Sequence, residues 1–507
     1  MPLPERMSLS KWPALSLSIL TVLFFTSGAE ARDWTIVGPR ALGMGGANVA
    51  VANDSTASYW NPAAFGFFKN EEGGDYGKRK WSGAADAGFG ASIHEDLGEQ
   101  INRIMDYDFT TLGGNVPAAK VPDFLKLVNE LKLFNDNENS ALTVNFNAAA
   151  SAQASHYGFG AYVFADISAR GDLDLVNIAP GTTGGANIVT ALSTAGTFGS
   201  APVGDYYFSS AEKTALEARI TALGGDWAVG TTAADFVQAV DYGLSLVPAA
   251  DVPADIADVT VNVATVASDA GTGNTFDTNT SSLHFRGLAI AEFPITFGYA
   301  ITPDFAIGGN VKYMKARVYN TDVPVFNTDF GDALSAATDS YADSSNVGLD
   351  VGLLYRFGND LRVGLVGRNI NSPSFDMTPR AGSGDADSLT EDVQIRAGVA
   401  YKPLDFVTLA VDMDLLENDT TAGGSYKSRN LGGGVEVSLL KVLQLRAGAY
   451  KNLSESDIGA VYTAGLGLNL WAVNLDFGAS MASGTTAIDN DDVPKEVKVE
   501  AALSMLF

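Results

Sequence analysis

The chain has 507 residues, with 59 acidic against 32 basic side chains and a formal net charge of −27. That excess repels phosphate backbones and excludes nucleic acid as a partner, and the complete absence of cysteine excludes a disulfide framework and a thiolate metal site. Hydrophobic residues make up 46% of the chain, yet past the N-terminus no run approaches the ~18 consecutive apolar residues of a membrane helix.

Residues 1–31 read as an export signal. Arg6 and Lys11 supply the basic start, Ala14 to Phe25 is almost unbroken apolar sequence, and Ala29-Glu30-Ala31 places small residues where a signal peptidase cuts. The next segment, 32–80, is apolar and glycine-rich but broken by turn residues. Gly43, Gly45 and Gly46 let a chain turn in a crowded space. Asn48 and Asp54 are turn formers, and Asn61-Pro62-Ala63 sets a further bend.

From residue 81 onwards the period is two. Val473, Leu475, Phe477, Ala479 and Met481 alternate with Asn474, Asp476, Gly478 and Ser480, and the pattern recurs to the C-terminus. Strands are predicted near 82–94, 141–153, 157–174, 283–301, 305–320, 346–357, 361–370, 392–402, 405–416, 428–439, 442–451, 459–470, 472–483 and 496–507, fourteen in all. Most exceed the five or six residues usual in soluble sheets. Tight turns, as at Ser155-His156, Gly358-Asn359-Asp360, Leu440-Lys441 and Trp471-Ala472, alternate with long polar loops, the longest near 95–140 and 176–281. This is the plan of an all-β, transmembrane antiparallel β-barrel over residues 81–507. Pro294 interrupts the fourth strand and predicts a kink, bulge or edge there.

Cost decides which face meets lipid. A charge on the outer wall at the midplane costs about 2–4 kcal/mol, so Asp350, Arg356, Arg362, Arg368, Arg396, Asp412, Arg446 and Asp476 are assigned to the lumen as a paired network. An irregular backbone at membrane depth must be buried in protein or line a cavity. Residues 32–80 are therefore expected inside the lumen, as a hatch.

Helices are predicted only in the extracellular loops, over 123–134, 209–223 and 232–247. Phe124, Leu127, Val128 and Leu131 share one face at helical spacing. They form a candidate apolar groove for a ligand, unless the helices use those faces to pack on one another. His94, His156 and His284 are the only histidines. They fall at strand ends or in a turn, and are expected in surface or interfacial roles. No catalytic set, metal site or cofactor is expected, and Asp489-Asn490-Asp491-Asp492 reads as a solvated loop.

The stretch GPRALGMGGANVAVANDSTASYWNPAAFGFF, from Gly38 to Phe68, resembles the opening of the FadL-type (long-chain fatty-acid transporter) barrels. Within that superfamily the chain looks closest to the TraF-like family of conjugal transfer proteins, whose C-terminal hairpin pattern fits SRNLGGGVEVSLLKVLQLRAGAYKNL. The resemblance implies an N-terminal hatch, a fourteen-stranded outer-membrane barrel and passive passage of hydrophobic molecules such as fatty acids or aromatic hydrocarbons. The alternative is a non-transporting barrel that serves a secretion or conjugation apparatus as a shuttle or docking component. Expected partners are outer-membrane lipids, lipopolysaccharide, a hydrophobic small molecule, and the barrel-assembly machinery through the C-terminal Phe507.

Overall fold

The computed structural model describes residues 32–68, 81–105, 121–175, 203–224, 232–269, 280–324, 335, 338–380, 383, 385–423, 425–440, 442–470, 473–488 and 491–506. The predicted export signal, the end of the predicted hatch at 69–80, the loop stretch 176–202 and Phe507 lie outside the described residues.

Fourteen antiparallel strands close into one barrel. In chain order they are β1 (Trp81–Ile93), β2 (Leu142–Ala154), β3 (Tyr157–Asp172), β4 (Ser282–Ala300) and β5 (Phe305–Pro324). Then follow β6 (Tyr341–Phe357), β7 (Leu361–Arg368), β8 (Gln394–Leu404), β9 (Val407–Asp414) and β10 (Asn430–Leu439). The last are β11 (Leu443–Asn452), β12 (Ala460–Leu470), β13 (Val473–Ala482) and β14 (Glu496–Leu506). β1 pairs with both β2 and β14, so no edge is left open. Every predicted segment is a strand. The main difference is length: β5 runs on to Pro324 and β6 starts at Tyr341, because both rise beyond the wall towards the loops.

The alternation turns charges inward and apolar groups outward. On β6, Val347, Val351, Leu353 and Tyr355 are exposed, while Asp350, Leu354 and Arg356 are buried. β13 likewise exposes Phe477 and Met481, with Gly478 and Ser480 facing inward. The outward set on these and neighbouring strands makes the apolar belt of a membrane-spanning barrel. Pro294 sits within a continuous β4, opposite Lys312 of β5. Towards β3 the ladder stops after Phe159 opposite Ile295 and resumes at Tyr162 opposite Glu292. Gly160, Ala161, Phe293 and Pro294 are unpaired across that seam, since proline offers no N–H to it.

Among the described residues, five helices lie at the long-loop end: Leu97–Met105, Val121–Asp136, Ser210–Leu223, Ala233–Ser245 and Ile256–Asp269. The first and last correct the expectation of three. Ile256–Asp269 (IADVTVNVATVASD) is rich in β-branched residues, which have low helix propensity, so its helix depends on packing. Ser209 with Glu212 and Thr232 with Asp235 form capping boxes that start the two helices between.

Candidate functional site

Residues 32–68 occupy the lumen. A short helix, Pro39–Gly43, leads into a turn in which Gly45 and Gly46 take φ +68° and +79°. The helix Ala57–Trp60 and the 3-10 helix Pro62–Phe67 follow. The segment is knitted to itself: the Tyr59 hydroxyl donates to Thr35 O at 2.6 Å and Trp60 Nε1 donates to Val37 O at 3.0 Å. Asn61 caps the 3-10 helix by accepting from Ala63 N, and its Nδ2 donates to Val49 O and to Leu353 O of the wall. The Asp54 carboxylate accepts from both the backbone N and the hydroxyl of Thr56.

Bare backbone on the wall lets this segment approach. A Cβ at Gly308 or Gly352 would strike Pro62, one at Gly434 would meet Met44 Cα at 2.7 Å, and one at Gly478 would meet Pro39 O at 2.8 Å. The fit is reciprocal, since a Cβ on Gly43 would lie 2.9 Å from Gly465 Cα. These wall glycines sit three to six residues from the short-turn end of their strands. Wall side chains clamp the segment at that level: Asp412 Oδ2 accepts from Asn48 N at 2.7 Å and Val49 N at 2.8 Å, and Thr463 Oγ1 accepts from Gly45 N and donates to Gly43 O.

Charges and rings fill the rest of the lumen. Glu292 takes salt bridges from Arg32 (2.8 Å), Arg368 (2.8 Å) and Lys312 (3.1 Å), and Lys312 also reaches Asp350 at 3.2 Å. Arg396 grips Asp414 bidentately, and Arg446 bridges Glu436 at 2.7 Å and Asp476 at 2.6 Å. Arg40 of the N-terminal segment joins the same Glu436 at 2.7 Å. The guanidinium of Arg368 lies 4.0 Å from the Tyr59 ring centre, Arg396 4.6 Å from Trp34, and Arg32 4.1 Å from Phe164. Arg356 donates to Pro303 O and covers Phe67, and Arg362 is buried.

All eight charges singled out in the sequence therefore face the lumen, and five of them, Asp350, Arg368, Arg396, Arg446 and Asp476, take part in these salt bridges. Sequence reasoning passed over their partners Glu292, Lys312, Asp414 and Glu436. Each has the inward parity of its strand, and that signal was available. Arg32 and Arg40 carried no such signal, because they meet residues 260 and 396 positions away.

At the β3–β4 seam an added Cβ on Gly160 would run into the Tyr162 ring and lie 3.2 Å from Pro294 Cγ. The Tyr162 ring thus covers the unpaired stretch from inside. Its hydroxyl hydrogen-bonds Ser58 Oγ of the N-terminal segment at 2.5 Å.

The candidate groove is not open. Leu127, Val128 and Leu131 are buried against Leu216, Ile220, Phe236, Val240 and Val263 of the other loop helices, in a core of the cap's own. The side chain of Phe124 lies outside the described residues. His94 and His284 are likewise not surface groups. Both are buried, His94 beside Thr143 and Asp457, and His284 against Asp322 at 2.9 Å. His156 stacks edge-on against Phe68.

A closed fourteen-stranded wall, an apolar outer belt and a filled lumen define a transmembrane β-barrel with an internal N-terminal plug. The family described as "F plasmid transfer operon, TraF, protein" matches residues 59–414, and the chain belongs to that family. Among solved structures, the Ralstonia pickettii toluene transporter TbuX is similar at 12% identity and TM-score 0.44, over 93% of this chain and 98% of that one. The P. putida toluene transporter TodX is similar at 12% identity and TM-score 0.41, over 93% and 97%. A Pseudomonas aeruginosa FadL homologue is similar at 9% identity and TM-score 0.42, over 95% and 99%. No protein of curated function matches the sequence.

Proposed function

We propose that the protein is an outer-membrane channel for the passive uptake of hydrophobic small molecules, with residues 32–68 as its hatch and the β3–β4 seam as its exit. The seam carries this reading. A barrel wall normally bonds every backbone group to its neighbour, yet here a glycine and a proline leave a stretch unpaired at membrane depth. The Tyr162 ring covers that stretch and is held by Ser58 of the hatch. Movement of the hatch releases Tyr162 and opens a sideways route from lumen to lipid. An apolar molecule gains free energy by leaving water for that route, roughly 0.8 kcal/mol per buried CH₂.

The competing reading, a docking component that moves no ligand, draws on the charge-filled lumen and the closed cap. Replacing Pro294 with Val supplies the missing N–H and lets the seam zip. In a strain lacking the native protein, Pro294→Val should lower uptake of a radiolabelled fatty acid or toluene several-fold relative to wild type. The variant should keep normal heat-modifiable folding. Uptake equal to wild type in the folded variant would remove the exit and favour docking.

A further inference from the structure

The outward face of β5 is apolar from Ile307 through Val311 to Tyr313 and then turns basic, at Lys315 and Arg317. Among the described residues no other barrel strand carries two outward cations. Their height says what they meet. The outward rings of Phe305 and Tyr355, paired across β5 and β6, mark the short-turn edge of the belt. At about 3.3 Å rise per residue and about 40° tilt, the climb from Phe305 to Lys315 is roughly 25 Å, the height of the belt itself. The stacked rings of Phe293 and Tyr313 lie just below the two cations, and those of Tyr319 and Tyr341 lie just above. Both cations therefore stand at the polar edge of the leaflet on the long-loop side.

Arg317 is held in place. Its Nε donates to Asp343 Oδ1 at 3.0 Å, and its Cζ lies 4.3 Å from the centre of the Tyr341 ring. Asp343 offsets one of the two charges, and Lys315 has no carboxylate partner among the described residues, so the patch stays positive. Beside it the wall is hollow. β4 turns Gly287, Ala289 and Ala291 outward, with Ala289 opposite Arg317 and Ala291 opposite Lys315. Beyond them Val163 and Ile167 of β3 stand exposed. The three strands thus frame a shallow apolar trough, two strand spacings or about 10 Å wide, with both cations along one side.

We propose that this face of β3–β5 is a seat for lipopolysaccharide, with Lys315 and Arg317 on a phosphate of its lipid A and an acyl chain in the trough. A phosphate complements the charge, and a guanidinium already fixed by Asp343 and Tyr341 loses little freedom in binding it. The long loops of an outer-membrane barrel face the exterior, and the lipid of that leaflet is a phosphorylated glycolipid. The seat rests on the outer-membrane placement in the proposed function, and it holds whether or not the lumen conducts.

The test uses the full-length protein in detergent with EDTA, which strips bridging divalent ions, and adds bisphosphorylated lipid A while native mass spectrometry counts the lipid bound. Lys315→Gln combined with Arg317→Gln, once a heat-modifiable gel shift has shown it folded, should weaken binding at least about fivefold, the effect of one basic residue near an anionic surface. Lys315→Arg keeps the charge and should bind as wild type does. So should Lys451→Gln, which removes an outward cation from β11. Lipid A stripped of phosphate should bind wild type no better than lipid A binds the double variant. Equal affinity in wild type and the double variant would overturn the seat. Competition by phosphatidylglycerol as strong as by lipid A would also overturn it, leaving a general attraction for anionic headgroups. Density fractionation of cell membranes reads the outer-membrane placement separately, so its failure is told apart from failure of the seat.

Discussion

Asp412 shows how much one side chain does in the lumen. One of its oxygens accepts from two successive hatch amides, Asn48 N and Val49 N. Hydrogen bonds to a charged acceptor contribute about 1.5–3 kcal/mol each, and an orphaned buried N–H costs about 1–3. Asp412→Ala should therefore loosen hatch seating by about 2–4 kcal/mol, while Asp412→Asn, which keeps an acceptor, should loosen it less. Hydrogen exchange in residues 45–52 measures this directly, and unchanged protection in the alanine variant would count against the clamp. His94, outside the spanning strands, gives a pH signature. Burial holds its imidazole down to about 4 from the ordinary 6.5, with Lys495 adding to the effect and Asp457 opposing it. The folded state then binds fewer protons than the unfolded one between those values. The stability that neutral His94 contributes is fully present above pH 6.5, declines by at most about 1.4 kcal/mol per unit as pH falls, and is gone below about 4. Amide protection factors around 94–105, corrected for the intrinsic slowing of exchange at lower pH, should fall between pH 7 and 5 in wild type and lose that dependence in His94→Gln.

At the scale of elements, the cap is the part with a core of its own. Asp241 is buried there and accepts from Tyr206 N, Tyr207 N and Phe208 N at 2.6–3.0 Å, with Lys213 at 3.5 Å. Asp241→Ala leaves three amides without their acceptor and should destabilise the helices over 203–269 by about 3 kcal/mol or more. Selective protease cleavage within those residues, with the barrel bands intact on a gel, is the expected readout. The strands were legible because a wall between lipid and polar lumen imposes strict alternation on every segment. The same parity placed Asp350 and Arg396 inside, and applied to β4, β5, β9 and β10 it would have added Glu292, Lys312, Asp414 and Glu436. The helix Ile256–Asp269 was not legible, because its valines and threonines favour strands and only Leu127, Val128 and their neighbours make it a helix. Nor could the sequence reveal that the apolar face of Val121–Asp136 is used up inside the cap, since an open groove and a packed interface have the same spacing.

Over the whole molecule, the wall and its contents are built on different terms. Apart from the β3–β4 seam, the wall satisfies its own backbone hydrogen bonds around a closed ring of strands, so it is expected to fold without the plug. The plug has no such independence. It is seated by wall glycines, by Asp412 and by the arginine–glutamate layer that Arg32 and Arg40 complete. Its loss removes both the stopper and part of the charged network around it. Deleting residues 32–68 while keeping residues 1–31, and recording conductance in a planar bilayer, therefore tests the channel reading most directly. A folded, heat-modifiable barrel with conductance well above wild type is the predicted result. A folded barrel whose conductance equals that of the intact protein would contradict the hatch and the channel together.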